Sequence, residues 1–144
     1  MSKTDVFENS WLQLVFNAVT IAQIATNATS SALTSLQVSL HTADPGETGT
    51  QGTNETNYAG YARVAVARST AGWVVTNNSV SPVSAIAFGI ATSTSTGTLT
   101  HFGVGATTAS TGGALYYKGT ISPNINFGQN VTPRLTTGSS ITED

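Results

Sequence analysis

The sequence predicts a mainly β protein, an antiparallel β-sandwich or jelly-roll-like domain with one α-helix at its N-terminus. Residues that favour strands (Thr, Val, Ile, Phe and Tyr) are abundant, and residues that favour turns (Gly, Asn and Ser) separate them. After residue 35 the apolar side chains recur at every second position. These short alternating runs return at intervals of about ten residues, a spacing typical of sandwiches rather than of parallel sheets.

The length and composition indicate one folded domain. The chain has 144 residues, of which only 8% are charged, where about a quarter is usual. Its 25 Thr and 16 Ser supply the polarity instead, and a net charge of −2 argues against a disordered chain. We therefore expect residues 1–35 to form a helix and linker, and residues 36–144 to form a single β-sandwich unit.

Residues 5–25 have the helical period, with more apolar surface than one stripe. One row of large side chains consists of Phe7, Trp11 and Leu14, and a second row consists of Leu12, Phe16 and Val19. A single sheet face covers one row, so the other should meet a partner protein. The residues expected at this protein–protein interface are Phe7, Trp11, Leu12, Phe16 and Val19. The alternative is a short helix covered by the loop at residues 26–35.

The period changes to two at residue 36, where Leu36, Val38 and Leu40 share one face of a predicted strand. Asp44-Pro-Gly predicts a turn that opens a polar loop reaching about Tyr58. We expect this loop to be exposed or to make contacts with a partner. Asn77 and Asn78 predict a further turn. The later strands are predicted at residues 61–68, 73–76, 86–90, 99–106, 113–121, 125–127 and 131–137.

No Asp, Glu, Lys or Arg lies between Arg68 and Lys118. A soluble monomer normally keeps its surface charged, so this stretch suggests a surface that meets another protein. A soluble exterior coated with Thr and Ser explains the same composition, and the sequence does not separate the two.

The sequence contains no arrangement of residues typical of an active site, and we expect no catalytic residue, cofactor site or metal site. The chain has no cysteine and two histidines, His41 and His101, which are too few for a metal site without distant carboxylates. Asp44, Glu47 and Glu55 do not fit the calcium-loop pattern, and solvated loop carboxylates are the expected state. A serine or threonine nucleophile would need one of the two histidines as its base.

Binding to nucleic acid or to membranes is not expected. Five basic residues and a pI of about 5.5 are too little positive charge to neutralise a row of phosphates. The N-terminal run is too polar to cross a bilayer. A sugar-binding surface of exposed aromatic residues remains an alternative, although such residues in strands more often fill cores. The candidates are Tyr58, Tyr61, Trp73, Tyr116 and Tyr117.

Four short segments together resemble a family of small tailed-phage virion proteins, often labelled tail fibre or minor structural proteins. The segments are Ser39-Leu-His-Thr-Ala-Asp-Pro-Gly, Tyr58-Ala-Gly-Tyr-Ala-Arg-Val-Ala-Val, His101-Phe-Gly-Val-Gly and Ile141-Thr-Glu-Asp. In some short-tailed phages, proteins similar to this one are capsid cement (decoration) proteins.

The resemblance implies a non-enzymatic protein that is made in the host cytoplasm and stabilises the head. Its partner would be the lattice of the major capsid protein at the capsid surface, and it would bind there as an oligomer, which we expect to be a homotrimer. A minor tail, baseplate or tail fibre component is the alternative, and a carbohydrate-binding module is a more distant one.

Overall fold

The computed structural model describes residues 5–21, 33–109 and 112–143. This part of the chain contains one α-helix and nine β-strands, and every strand pairing in it with an assigned register is antiparallel. The prediction of a mainly β fold with one N-terminal helix is confirmed. The elements are α1 (Asp5–Asn17), β1 (Ser35–His41), β2 (Val64–Ala67), β3 (Trp73–Thr76), β4 (Ser79–Pro82), β5 (Ile86–Ala87), β6 (Gly97–Gly105), β7 (Leu115–Phe127), β8 (Arg134–Leu135) and β9 (Ile141–Thr142).

Helix α1 is shorter than its sequence period predicts. It ends at Asn17, and the next residue, Ala18, has a left-handed φ of 57°. A left-handed residue directly after the last turn is a common way for a helix to stop, although glycine usually occupies that position. The predicted continuation through residues 18–21 is therefore wrong, and residues 22–25 lie outside the described part.

The chain divides into two compact units. The first comprises Met1–Ser35, Val66–Ala85 and Thr136–Asp144, and it contains α1, β3, β4 and β9. The second comprises Leu36–Ala65 and Ile86–Leu135. The division expected from the sequence, residues 1–35 and residues 36–144, remains a prediction.

The first unit is a three-stranded sheet in the order β3–β4–β9 with α1 packed on β3 and β4. Strands β3 and β4 form a hairpin in which Thr76 pairs with Ser79, so the predicted turn at Asn77 and Asn78 is confirmed. Asn77 has a φ of 55°, a conformation that asparagine tolerates better than most residues.

The second unit is built mainly on a sheet in the order β2–β1–β6–β7, with β5 and β8 paired separately. Strand β1 is buried on both faces, which its alternating sequence did not predict. Leu36, Val38 and Leu40 lie on one face, where they join the hydrophobic core, as expected. The other face carries Ser39 and His41, which are equally buried.

Strand β7 pairs with β6 in two blocks. Residues 115–120 pair with residues 101–105, and residues 125–127 pair with residues 97–99. Four residues, Ile121 to Asn124, therefore lie opposite Thr100 alone, and Ser122, Pro123 and Asn124 are exposed. The two predicted strands at 113–121 and 125–127 correspond to these two blocks.

Candidate functional site

The outer surface of α1 carries three large apolar side chains that were predicted to form an interface. Phe7 is 38% exposed, Trp11 is 40% exposed and Val19, just beyond the helix, is 49% exposed. Val6, beside them in the sequence, is 79% exposed. Helix α1 therefore presents a row of apolar surface in the first unit.

The other two predicted interface residues lie in the core of the same unit. Leu12 and Phe16 are fully buried, and the ring of Phe16 meets the ring of Trp73 edge-on, with 4.8 Å between centroids. The sequence required one covered row and one exposed row. The sheet covers Leu12 and Phe16, whereas Val19, the third member of their predicted row, is exposed. These two side chains are thus inaccessible in the folded chain.

Arg68 holds the C-terminal end of α1. Its Nε donates a hydrogen bond to the Val15 carbonyl at 2.6 Å, and its Nη2 donates to the Leu14 carbonyl at 2.5 Å. Carbonyl groups in the last helical turn have no partner within the helix, and a positive charge there also favours the helix dipole. The last turn of α1 has no basic residue of its own, so Arg68 supplies that charge from a distant part of the sequence.

A buried ion pair lies in the second unit, between the long loop and the segment that precedes β2. Arg63 Nε and Nη2 donate to the two carboxylate oxygens of Glu55, both at 2.7 Å. Only 2% of the Arg63 side chain and 6% of the Glu55 side chain are exposed. This two-bond geometry is the strongest that arginine makes with a carboxylate. The expectation that Glu55 is a solvated loop carboxylate is wrong.

Further hydrogen bonds extend from this ion pair to three parts of the unit. Arg63 Nη1 donates to the Thr107 carbonyl at 2.9 Å, and Nη2 donates to the Gly112 carbonyl at 3.2 Å. The Tyr61 hydroxyl donates to Glu55 at 2.7 Å and accepts the Leu40 amide at 3.1 Å. Burial raises the pKa of the Tyr61 hydroxyl far above its ordinary value, so it stays protonated as a donor.

His41 occupies the closed polar face of β1. Its Nδ1 lies 2.8 Å from the Thr53 carbonyl, and its Nε2 lies 2.9 Å from Ser39 Oγ. A carbonyl only accepts, so Nδ1 carries the proton, and Nε2 accepts from the Ser39 hydroxyl. The pair resembles a nucleophile and its base. Both residues are fully buried, however, so a substrate has no access and the contact is structural.

Gln51 joins the long loop to the segment between β6 and β7. Its side chain is fully buried and donates to the Gln37 carbonyl at 3.1 Å. Its side-chain Oε1 accepts a hydrogen bond from the Thr107 backbone amide at 3.1 Å. Its backbone amide donates to the Gly113 carbonyl at 3.0 Å. The loop that the sequence predicted to be exposed is therefore anchored in the interior by Gln51, Glu55 and the contact to His41.

The remaining two loop carboxylates lie at the surface with Lys118. Its Nζ is 3.2 Å from Asp44 and 2.9 Å from Glu47, and these carboxylates are 53% and 91% exposed. A hydrogen bond from the Gly46 backbone amide and a second from the Lys118 side chain lower the pKa of Asp44. Exposed pairs of this kind contribute little to stability, because solvent screens them. The expectation of solvated carboxylates is confirmed for Asp44 and Glu47.

Two alternatives from the sequence can be placed on the structure. His41 and His101 face each other in the register of β1 and β6, but both nitrogens of His41 are already bonded within the fold. Within the described ranges, no three side chains of the metal-ligating types cluster. An aromatic sugar platform is contradicted for Tyr58 and Trp73, which are 5% and 3% exposed, whereas Tyr116 is 48% exposed.

No helix in the described part of the chain has the length and apolarity needed to cross a bilayer.

Comparison with known proteins identifies the class. The family model described as "Podophage GP4 fiber I protein gp80" matches residues 2–142, almost the whole chain. The protein is therefore a structural protein of a phage virion. The chain belongs to this podophage fibre I family. No curated protein matches it significantly.

Proposed function

We propose that this chain is a non-enzymatic subunit of a phage fibre, held in the virion by protein–protein contacts. The family match over residues 2–142 carries the proposal, because the family description names a fibre protein. The site geometry agrees with a role without catalysis. The groups with catalytic potential, Ser39, His41, Glu55 and Arg63, are buried and bonded to one another or to the backbone.

A capsid cement protein bound to the major capsid protein is the second candidate. The division into two compact units favours it, since a cement protein has to cover a local site on a lattice. Binding to an assembled lattice stabilises that lattice by mass action and requires no chemistry.

The location of the chain in the particle separates the two candidates. Cryo-electron microscopy of the whole virion, with the fold placed into the density, is expected to show the chain in a fibre. Density on the capsid surface would support the cement role instead. A particle that lacks the chain altogether would contradict both candidates.

We propose the exposed row on α1 as the contact through which the chain assembles, as a homotrimer or with its virion partner. Burying a large apolar side chain contributes about 1.5–3 kcal/mol, so Trp11 alone can change an assembly constant by more than tenfold. Trp11→Ala should weaken oligomerisation or attachment to the particle and leave the β signal in circular dichroism unchanged. Val74→Ala is the matched control, because Val74 is 48% exposed on β3 of the same unit.

Phe16→Ala is expected to behave differently from Trp11→Ala. Phe16 is fully buried against Trp73, so its truncation should destabilise the first unit by about 3–5 kcal/mol. If Trp11→Ala assembles like the unaltered protein in sedimentation and particle-binding assays, the outer row of α1 is not the assembly contact.

A further inference from the structure

The loop over residues 42–57 is anchored to the second unit by Gln51, by Glu55 and by its contact with His41. Thr42 and Thr56 donate backbone hydrogen bonds to the Asn54 and Leu40 carbonyls, each at 2.9 Å. Between these two bonds, the Thr53 carbonyl accepts from the ring of His41 at 2.8 Å. The end of the loop thus runs beside the end of β1 and shares a hydrogen bond with that ring.

The surroundings of the His41 ring favour its neutral form. The ring is fully buried, and its Nε2 accepts the Ser39 hydroxyl. A methyl group built on Gly103 would lie 2.8 Å from Nε2 and 2.8 Å from Ser39 Oγ, so no space remains on that side for water or a counter-ion. A proton on Nε2 would make the Ser39 hydroxyl turn and accept instead of donating, and it would place an unhydrated charge in the interior, which is costly.

The charged and titratable groups around the ring do not remove this cost. His101 faces it from β6 and Arg63 from the segment before β2, and both disfavour a positive charge there. Glu55, from the loop, favours a positive charge, but both of its oxygens are bonded to Arg63. Burial is the largest effect, and it lowers the pKa of His41 below its ordinary value.

We propose that residues 42–57 form a pH-sensitive clasp, which is closed while the His41 ring is neutral and opens when the ring takes up a proton. Opening exposes the ring to water. It also breaks the bond from Nδ1 to the Thr53 carbonyl, which favours the protonated ring, but burial has the larger effect, so the open form takes up the proton more readily than the closed form. Because the pKa is lowered in the closed form, closure is complete above about pH 6.5, the ordinary pKa of histidine. Below that value the open fraction rises by up to tenfold per pH unit, until the pH reaches the lowered pKa of the closed form.

Backbone amide exchange measured by NMR between pH 7.5 and 5 tests the clasp. Protection at Thr42 and Thr56, corrected for intrinsic exchange, should fall by up to tenfold per pH unit below 6.5. Protection at Phe88, whose amide bonds to the Pro133 carbonyl in the same unit, should not fall. In His41→Gln, protection at Thr42 and Thr56 should be independent of pH. His101→Gln is the matched control and should retain the pH dependence.

Three results would overturn the proposal. Protection at Thr42 and Thr56 that stays constant down to pH 5 would show that the ring does not control the loop. An equal fall in His41→Gln would assign the effect to another group. A fall at Phe88 with the same slope would show unfolding of the whole unit. If His41→Gln does not fold, the protonation of His41 can be followed by NMR in the His101→Gln protein. Loop opening that does not follow that protonation then contradicts the clasp.

Discussion

The ion pair between Glu55 and Arg63 should be the most costly charged contact to break in the second unit. In Glu55→Gln, one carboxylate oxygen becomes an amide NH₂, which faces a guanidinium group that can only donate. Arg63 then keeps its charge in a site where 2% of its side chain is exposed. Removing one partner of a buried pair costs about 3–5 kcal/mol, because the other charge is left uncompensated.

Glu47→Gln is the matched control, because the same change in the same loop removes an exposed carboxylate. Glu47 is 91% exposed, and its contact with Lys118 should contribute little to stability. Urea unfolding followed by far-ultraviolet circular dichroism measures both variants. Tryptophan fluorescence reports on unfolding of the first unit, because Trp11 and Trp73 both lie there.

The double variant Glu55→Gln with Arg63→Met tests the reasoning further. It removes both charges, so it should lose less stability than the sum of the two single changes. The loss will not vanish, because Arg63 also donates to the Thr107 and Gly112 carbonyls. If Glu55→Gln is no less stable than Glu47→Gln, the buried pair does not hold the loop as described.

Three further changes test local features. Arg68→Gln should destabilise the first unit by about 2 kcal/mol in fluorescence-detected unfolding, because two charged hydrogen bonds to helix carbonyls are lost, and an unchanged midpoint would contradict this. Ala18→Gly should raise the stability of the same unit by about 0.5–1 kcal/mol by relieving a φ of 57°, and a lower midpoint would contradict this. Gly103→Ala should cost about 1–3 kcal/mol by calorimetry, because its methyl would approach three side-chain atoms within 2.8 Å. Gly128→Ala is the control and should leave the stability unchanged, because the nearest atom to its methyl would be 3.5 Å away.

The local periods of the sequence predicted the element types well. Alternation at Leu36, Val38 and Leu40 identified β1 and its apolar face, and the pair Asn77 and Asn78 identified the hairpin turn. The helical period identified α1 and its two apolar rows. These features depend on neighbours within a few residues, so the sequence pattern carries them.

Features that depend on distant contacts were not visible in the sequence. The burial of Ser39 and His41 requires a polar covering from the loop, and the Thr53 carbonyl reaches His41 only after folding. The carboxylate of Glu55 could not be distinguished from those of Asp44 and Glu47, because its partner approaches through the tertiary fold. One signal was present: Arg63 lies in a strand-like run with few other charges, where an arginine requires a partner.

The end of α1 and the choice of its buried row show the same limit. The helical period continues past Asn17, and nothing in the composition indicates that Ala18 adopts a left-handed conformation. Either apolar row could have faced the sheet. Phe16 packs against Trp73, so Phe7 and Trp11 are the large side chains left at the surface.

The break in pairing between β6 and β7 provides a place to label this protein inside a virion. Ser122, Pro123 and Asn124 are exposed, and residues on both sides of them are fixed in register with β6. An inserted epitope or tetracysteine tag would extend outward without removing a sheet hydrogen bond, since exposed segments with unpaired backbone tolerate insertions best. The same position offers a mounting point for foreign peptides, displayed in as many copies as the particle carries of the chain.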